Sequence, residues 1–355
     1  MKNYFKLIYT APIILALFLI SCEGPAGPEV EAGKDGADGN ATCNLCHGAS
    51  ATDVNLKFNQ YHLSQHNRGI VYEEEAGRIA CGGCHSGDGF AEAAALGVDD
   101  AKTLATSPIN CKACHPIHTD YTMSDFGLRI KSGFQLRHTK AAIDLGNGNT
   151  CAKCHQARAY TRTSPDTIRP VTGTNYSRFG PHYGTPTNVL TMNGPVKLAG
   201  SVSYDGISNP HGNLPMGCVS CHMGKDSLNP AVGGHSFLMP ASSLANITTC
   251  YTCHPASQIK GGTLTKQVAA DIALYRRLLI DKGMIDTTSA VTEAGYQVLG
   301  EYFATPGGKI KVYDNPNDVD VVLNYLYVAK DRSNGVHNPA YIKALVKNGL
   351  EYLQK

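Results

Sequence analysis

The sequence predicts a mainly α-helical protein with extensive loops, short helices and little β-structure. Three observations carry that expectation. Twelve of the 13 cysteines fall into six copies of Cys-x-x-Cys-His, a unit that one helical turn brings to a single side. Glycine and proline are abundant, at 37 and 18 residues, and tryptophan is absent, which favours short elements joined by loops. Apolar stripes at helical spacing are confined to residues 261–355.

The chain opens with Met1-Lys2-Asn3-Tyr4-Phe5-Lys6 and an apolar run from Leu7 to Ile20. The run contains Pro12 and is too short, with the wrong flanks, for a stop-transfer helix, so residues 1–21 read as a secretory signal. Its end, Leu19-Ile20-Ser21-Cys22, resembles the bacterial lipoprotein signal and accounts for the thirteenth cysteine. Lipidated Cys22 would hold the chain at a membrane surface without spanning it. Residues 22–40 are rich in Gly and Pro, with Gly24, Gly27, Gly33, Gly36 and Gly39 in a collagen-like register that Val30 breaks. So short a stretch does not hold a triple helix alone, and a flexible tether is the expectation.

Residues 41–260 hold the six motifs. Their cysteines are Cys43 and Cys46, Cys81 and Cys84, Cys111 and Cys114, Cys151 and Cys154, Cys218 and Cys221, and Cys250 and Cys253. The histidines that follow are His47, His85, His115, His155, His222 and His254. About 0.02 such matches are expected by chance at these Cys and His frequencies. Each pair of thiols can form thioethers to the vinyl groups of a c-type haem, and the next histidine then serves as proximal iron ligand. Zinc ribbons pair two Cys-x-x-Cys knuckles per metal and need no histidine at a fixed next position. A thioredoxin-like motif would occur once, after a strand. A disulfide framework would not repeat one spacing six times. Six covalent haem c groups are therefore expected, with no disulfides.

Six porphyrins would supply much of the apolar core of this region. They also change the charge. Removing Lys2 and Lys6 from the 31 basic residues leaves 29 against 29 acidic. Two propionates and about one net positive charge per oxidised centre then bring the loaded protein to about −6. With no basic run present, this argues against nucleic acid as a partner.

Residues 261–355 read as a helical segment packed on the haem region. Leu264, Val268, Ile272, Tyr275 and Leu279 form one stripe, stopped by Gly283. Asn315-Pro316 opens a second helix with Val319, Val322, Leu323 and Leu326 on a face. Asn338-Pro339 opens a third with Ile342, Leu345, Val346 and Leu353.

Beyond the six motif histidines there remain eight: His62, His66, His118, His138, His182, His211, His235 and His337. That is enough to give every iron a second imidazole with two to spare. Met216 and Met223 lie near the fifth motif, but unbranched methionine is more often packing. Several contexts around these histidines are similar to segments of known proteins: Tyr61-His62-Leu63-Ser64-Gln65-His66, Cys114-His115-Pro116-Ile117-His118, Gly180-Pro181-His182-Tyr183-Gly184, Asn209-Pro210-His211-Gly212-Asn213, Gly233-Gly234-His235-Ser236-Phe237 and Val336-His337-Asn338-Pro339. Together with the motifs, they resemble the multihaem cytochromes c related to cytochrome c nitrite reductase and hydroxylamine oxidoreductase. In that family distal histidines come from remote segments. The resemblance implies His66, His118, His182, His211, His235 and His337 as distal ligands, with His62 and His138 in reserve.

The expected function is electron transfer through six bis-His haems in the bacterial cell envelope, in respiration or extracellular electron transfer. Redox proteins would be donor and acceptor, and the position would be the outer membrane, on its periplasmic or cell-surface face. No catalytic residue is assigned. The alternative is a nitrite- or hydroxylamine-type oxidoreductase with one open haem. The nitrite reductases of the family replace the proximal histidine at the catalytic haem with lysine, and all six motifs here end in histidine. A conducting filament is the third reading, compatible with an oligomer and two spare histidines.

Overall fold

The computed structural model describes residues 43–44, 47–48, 52–74, 78–102, 106–160, 167–168, 180–287, 290–293, 296–299, 302–303, 311–313 and 315–355. The leader, the tether with Cys22, and Cys46 of the first motif lie outside the described residues. The chain divides into two units, Met1–Gly48 and Ala49–Lys355. The second holds all the helices and strands with described bounds.

As expected, the fold is mainly helical with long loops. The motif-bearing part of the second unit is a run of short helices: α1 (Thr52–Leu63), α2 (Gln65–Arg68), α3 (Val71–Glu74), α4 (Ile79–His85), α5 (Gly87–Leu96), α6 (Cys111–Cys114), α7 (Asn149–Cys154), α8 (Pro186–Leu190), α9 (Cys218–His222), α10 (Thr248–Tyr251) and α11 (Ala256–Gly261). Side-chain caps set several of their boundaries. Ser64 Oγ accepts from Asn67 N at 3.3 Å to start α2. Ser86 ends α4 and starts α5, its Oγ accepting from Gly89 N at 3.1 Å and Ser107 N at 3.2 Å. Asn110 Oδ1 accepts from Lys112 N at 2.9 Å at the head of α6.

The tail forms α12 (Thr263–Asp281), α13 (Pro316–Asp331) and α14 (Pro339–Leu353). The two Asn-Pro pairs act as the sequence predicts. Asn315 Oδ1 accepts from Asn317 N at 2.9 Å and Asn338 Oδ1 from Tyr341 N at 3.0 Å, with proline in the first turn, where its missing N–H costs nothing. The three helices share one apolar core, with Val268, Tyr275, Leu279, Val322, Leu323, Ile342, Leu345 and Val346 all buried. At Gly349 of α14 any Cβ would run into the Tyr275 hydroxyl, so glycine there permits the close approach of α12.

Two features differ from the expected tail. Helix α13 is buried on nearly every side, from Val319 to Val328, rather than along one stripe. It lies between α12 and α14 and also contacts α8, where Thr185 Oγ1 donates to Tyr327 O at 2.9 Å. The tail is also interrupted by strands. Besides β1 (Phe134–Gln135) with β2 (Ala142–Ile143), the described residues pair β3 (Thr167–Ile168) with β8 (Lys311–Val312), β4 (Ile285–Asp286) with β7 (Tyr302–Phe303), and β5 (Ala290–Glu293) with β6 (Tyr296–Leu299), all antiparallel. These pairs are short, and alternation over two to four residues leaves little periodicity to read.

A second, smaller core of Leu136, Ile143, Leu145, Ala152 and Leu190 sits around α7. Leu345→Ala in the tail core is expected to cost about 2–5 kcal/mol. Tyr275→Phe, which removes the 2.8 Å bond to Val321 O, is expected to cost about 1 kcal/mol. Chemical denaturation followed by far-ultraviolet circular dichroism measures both.

Candidate functional site

Each described motif places its histidine one turn beyond the first cysteine. The backbone N–H of His115 donates to Cys111 O at 3.0 Å, that of His155 to Cys151 O at 3.0 Å, and that of His254 to Cys250 O at 2.9 Å. This i→i−4 bond brings the two thiols and the imidazole to neighbouring faces of the turn. Every described cysteine is a free thiol.

Five motif histidines each face a histidine from elsewhere in the chain. The ring centres stand 5.9 Å apart for His85 and His182, 6.3 Å for His115 and His235, and 6.1 Å for His155 and His66. They stand 6.2 Å apart for His222 and His337, and 6.0 Å for His254 and His211. The constancy is informative because these rings are not packed on one another. By contrast, His138 stacks on Tyr160 at 3.8 Å. Two imidazoles on opposite sides of one first-row metal ion, each bound at about 2 Å, have centres about 6 Å apart. The donor set therefore fits axial ligation of an iron porphyrin, with two thiols beside each pair for the thioethers. Ile79, Met216 and Tyr251, in or beside the motifs, leave apolar surface of the kind a porphyrin covers.

The outer nitrogens fix how these rings point. Nδ1 lies 3.1 Å from Gly127 O in His115, 3.2 Å from Phe237 O in His222 and 2.6 Å from Val336 O in His211. His337 differs: its Nδ1 lies 2.6 Å from the Asp331 carboxylate. In each case the bond leaves Nε2 as the ligating atom. Burial favours the neutral, metal-binding form of four of these rings. It pushes His155 and His235 down to about 4, aided at His155 by the neighbouring His66, His222 and His337 and at His235 by His115 and Lys57. His66 is lowered by burial, and His222 by burial despite its carbonyl partner. His337 is raised. Burial opposes this, but the hydrogen bond and charge of Asp331 outweigh it.

Three further histidines lie outside these five pairs. His118 is in none of these five pairs. Its backbone is left-handed (φ 62°) and its ring stacks on Tyr121 at 5.6 Å. His62 Nδ1 lies 3.1 Å from Asn67 Nδ2, with the ring edge-on to Phe58. His47 belongs to the first unit, where Gly48 N donates to Asn44 O at 3.0 Å. Sequence reasoning missed Asp331, Gln60 and Phe237. Gln60 Oε1 accepts from His235 N at 3.1 Å, and Phe237 lies against both His66 and His235 at 5.3 and 6.1 Å. Gly233, at φ 73°, makes the turn into His235 and has no room for a Cβ beside Gly224 O.

The attachment helices also touch one another. Cys84 Sγ lies 4.0 Å from Lys153 O, and Cys154 Sγ 3.9 Å from Gly83 O, so α4 and α7 abut. Cys218 Sγ lies 3.9 Å from Gly148 O, joining α9 to the head of α7. Helix α9 in turn contacts α10. The third motif adjoins α7 through Ile130 N, which donates to Thr150 Oγ1 at 3.3 Å while Arg129 N donates to Cys114 O at 2.9 Å. Among the described residues no helix is long and apolar enough to cross a membrane.

No family model matches the chain, and no curated protein matches it. Among solved structures it is similar to an outer cell wall cytochrome, OcwA, at 18% identity and a TM-score of 0.47. The match covers 84% of this chain and 50% of that one, so the chain spans about half the length of that protein. At that level of likeness the fit of the site rests on the geometry of this chain's own residues.

His182→Ala is expected to convert one low-spin centre of the loaded protein to high-spin and leave the other centres unchanged. Added imidazole should restore the low-spin signal. Electron paramagnetic resonance of the oxidised protein reads both.

Proposed function

We propose that this protein is an electron-transfer multihaem cytochrome c that relays electrons through six covalently bound haems in the cell envelope. The observation that carries the reading is the set of five opposing imidazole pairs at 5.9–6.3 Å. An iron held between two imidazoles has no coordination position for a small substrate. Bound haem c supplies a one-electron Fe(III)/Fe(II) couple.

The residues of this chain supply the rest. Cysteines of each motif would hold one haem c by thioethers, and the five histidine pairs would supply two iron ligands each. The carbonyls of Gly127, Phe237 and Val336 hold the rings in orientation. Contact between α4, α7, α9 and α10 would bring their cofactors near one another in the order second, fourth, fifth, sixth motif, with the third beside the fourth. The lipoprotein-like segment ending at Cys22 supports attachment to a membrane surface, with the outer membrane as the proposed location and other redox proteins as partners.

The oxidoreductase reading needs an open iron with hydrogen-bonding groups over it. With both imidazoles bound, five of the six motifs would offer no such face. Intact-protein mass spectrometry should give the mature chain plus six haems. The oxidised protein should show only low-spin iron, unchanged by nitrite or cyanide. A high-spin signal that shifts on adding nitrite would sink the relay reading in favour of catalysis.

A further inference from the structure

Of the four paired rings whose Nδ1 partner is described, His337 faces a carboxylate and His115, His211 and His222 face backbone carbonyls. Asp331 is the last residue of α13, and its carboxylate is fully enclosed while His337 is half-buried. Its Oδ1 lies 2.6 Å from His337 Nδ1. Its Oδ2 accepts from the Ser333 hydroxyl and, at 3.4 Å, from Ser333 N.

The position is costly on two counts. A buried anion loses hydration, and the C-terminal end of a helix is the negative end of its dipole. Stability alone does not favour an acid there. The turn after it is shaped to bring His337 back: Arg332 and Asn334 are left-handed (φ 56° and 48°), and His337 N donates to Ser333 Oγ at 3.2 Å. The corresponding Nδ1 partners of His115, His211 and His222 are the carbonyls of Gly127, Val336 and Phe237.

We propose that Asp331 is a potential-setting residue: through His337 it holds the iron of the fifth motif at the lowest reduction potential among the centres of this chain. The inference rests on the bis-His reading of the site. A carboxylate accepting the Nδ1 proton gives the imidazole partial imidazolate character, so Nε2 becomes a stronger donor and favours ferric over ferrous iron. The enclosed negative charge acts in the same direction, since reduction adds an electron beside it in a low-dielectric setting. Because α9 touches both α7 and α10, the fifth centre lies inside the chain of cofactors rather than at its end. A low-potential centre there is a step that an electron must climb, and it makes passage between the fourth and sixth motifs the slow leg of transfer.

The test uses the full-length, haem-loaded protein in a spectroelectrochemical titration combined with electron paramagnetic resonance. Asp331→Asn is expected to move the lowest-potential centre upward, past at least one of its neighbours, with every iron still low-spin. Asp331→Glu keeps the charge and should restore the wild-type order. Unchanged potentials in the Asn variant, with all iron low-spin, overturn the proposal. A new high-spin signal in that variant also overturns it, because Asp331 would then only keep His337 in place. If the Asn variant does not load haem, His337→Ala decides: loss of the lowest-potential low-spin centre supports the assignment, and loss of any other overturns it. Failure of the underlying reading looks different, since His337→Ala would then create no high-spin iron at all.

Discussion

The structure depends on imidazoles that face each other without touching. Each of the five pairs joins a motif helix to a segment remote in sequence, at a spacing too wide for ring stacking and suited to a shared metal ion. The apolar core near the motifs is small, centred on Leu136, Leu145, Ala152 and Leu190. On the proposed reading, what draws α4 to the loop of His182, or α6 to the turn of His235, would be chiefly the demand for a second ligand, with cofactor surface in place of side-chain packing. Such a fold needs little regular structure, which accounts for short helices joined by loops rich in glycine and proline.

Much of this was legible in the residues, and the boundary has a physical cause. The motifs declare themselves because covalent attachment demands a fixed spacing. The tail helices were equally plain, since Asn315-Pro316 and Asn338-Pro339 combine a capping side chain with a proline where no N–H is needed. The partner of each motif histidine was not legible, because a contact between remote segments leaves no local periodicity. His118 illustrates the limit. Its place three residues after His115 suggests a ligand but not which motif it serves, and in the structure its backbone is left-handed with the ring beside Tyr121. The acceptors that orient the rings escape sequence reasoning for a further reason: Gly127, Val336 and Phe237 act through backbone carbonyls, which every residue type possesses.

Helix α13 shows how the tail and the motif region are tied. An amphipathic stripe predicts a helix lying on a surface, but α13 is enclosed by α12, α14 and α8. Its enclosure includes Asn324, which is fully buried, and Asp331 at the end facing the imidazoles. A helix covered on all sides has few ways to shift, and that rigidity is useful where its last turn must hold a ligand in place.

The turn between α13 and α14 serves two centres at once. His337 stands opposite His222, while the carbonyl of the preceding Val336 orients His211 opposite His254. This has a consequence for maturation. Ribosomes make the chain from its N-terminus, so the cysteines of the fifth and sixth motifs exist before the turn that completes both sites. On the proposed reading, attachment at these motifs would not require the last helices, whereas completing the His222 and His337 pair would. A chain clipped before α13 ends would then lack both His337 and the Val336 carbonyl, leaving two of the five pairs without a ring or without its orienting acceptor.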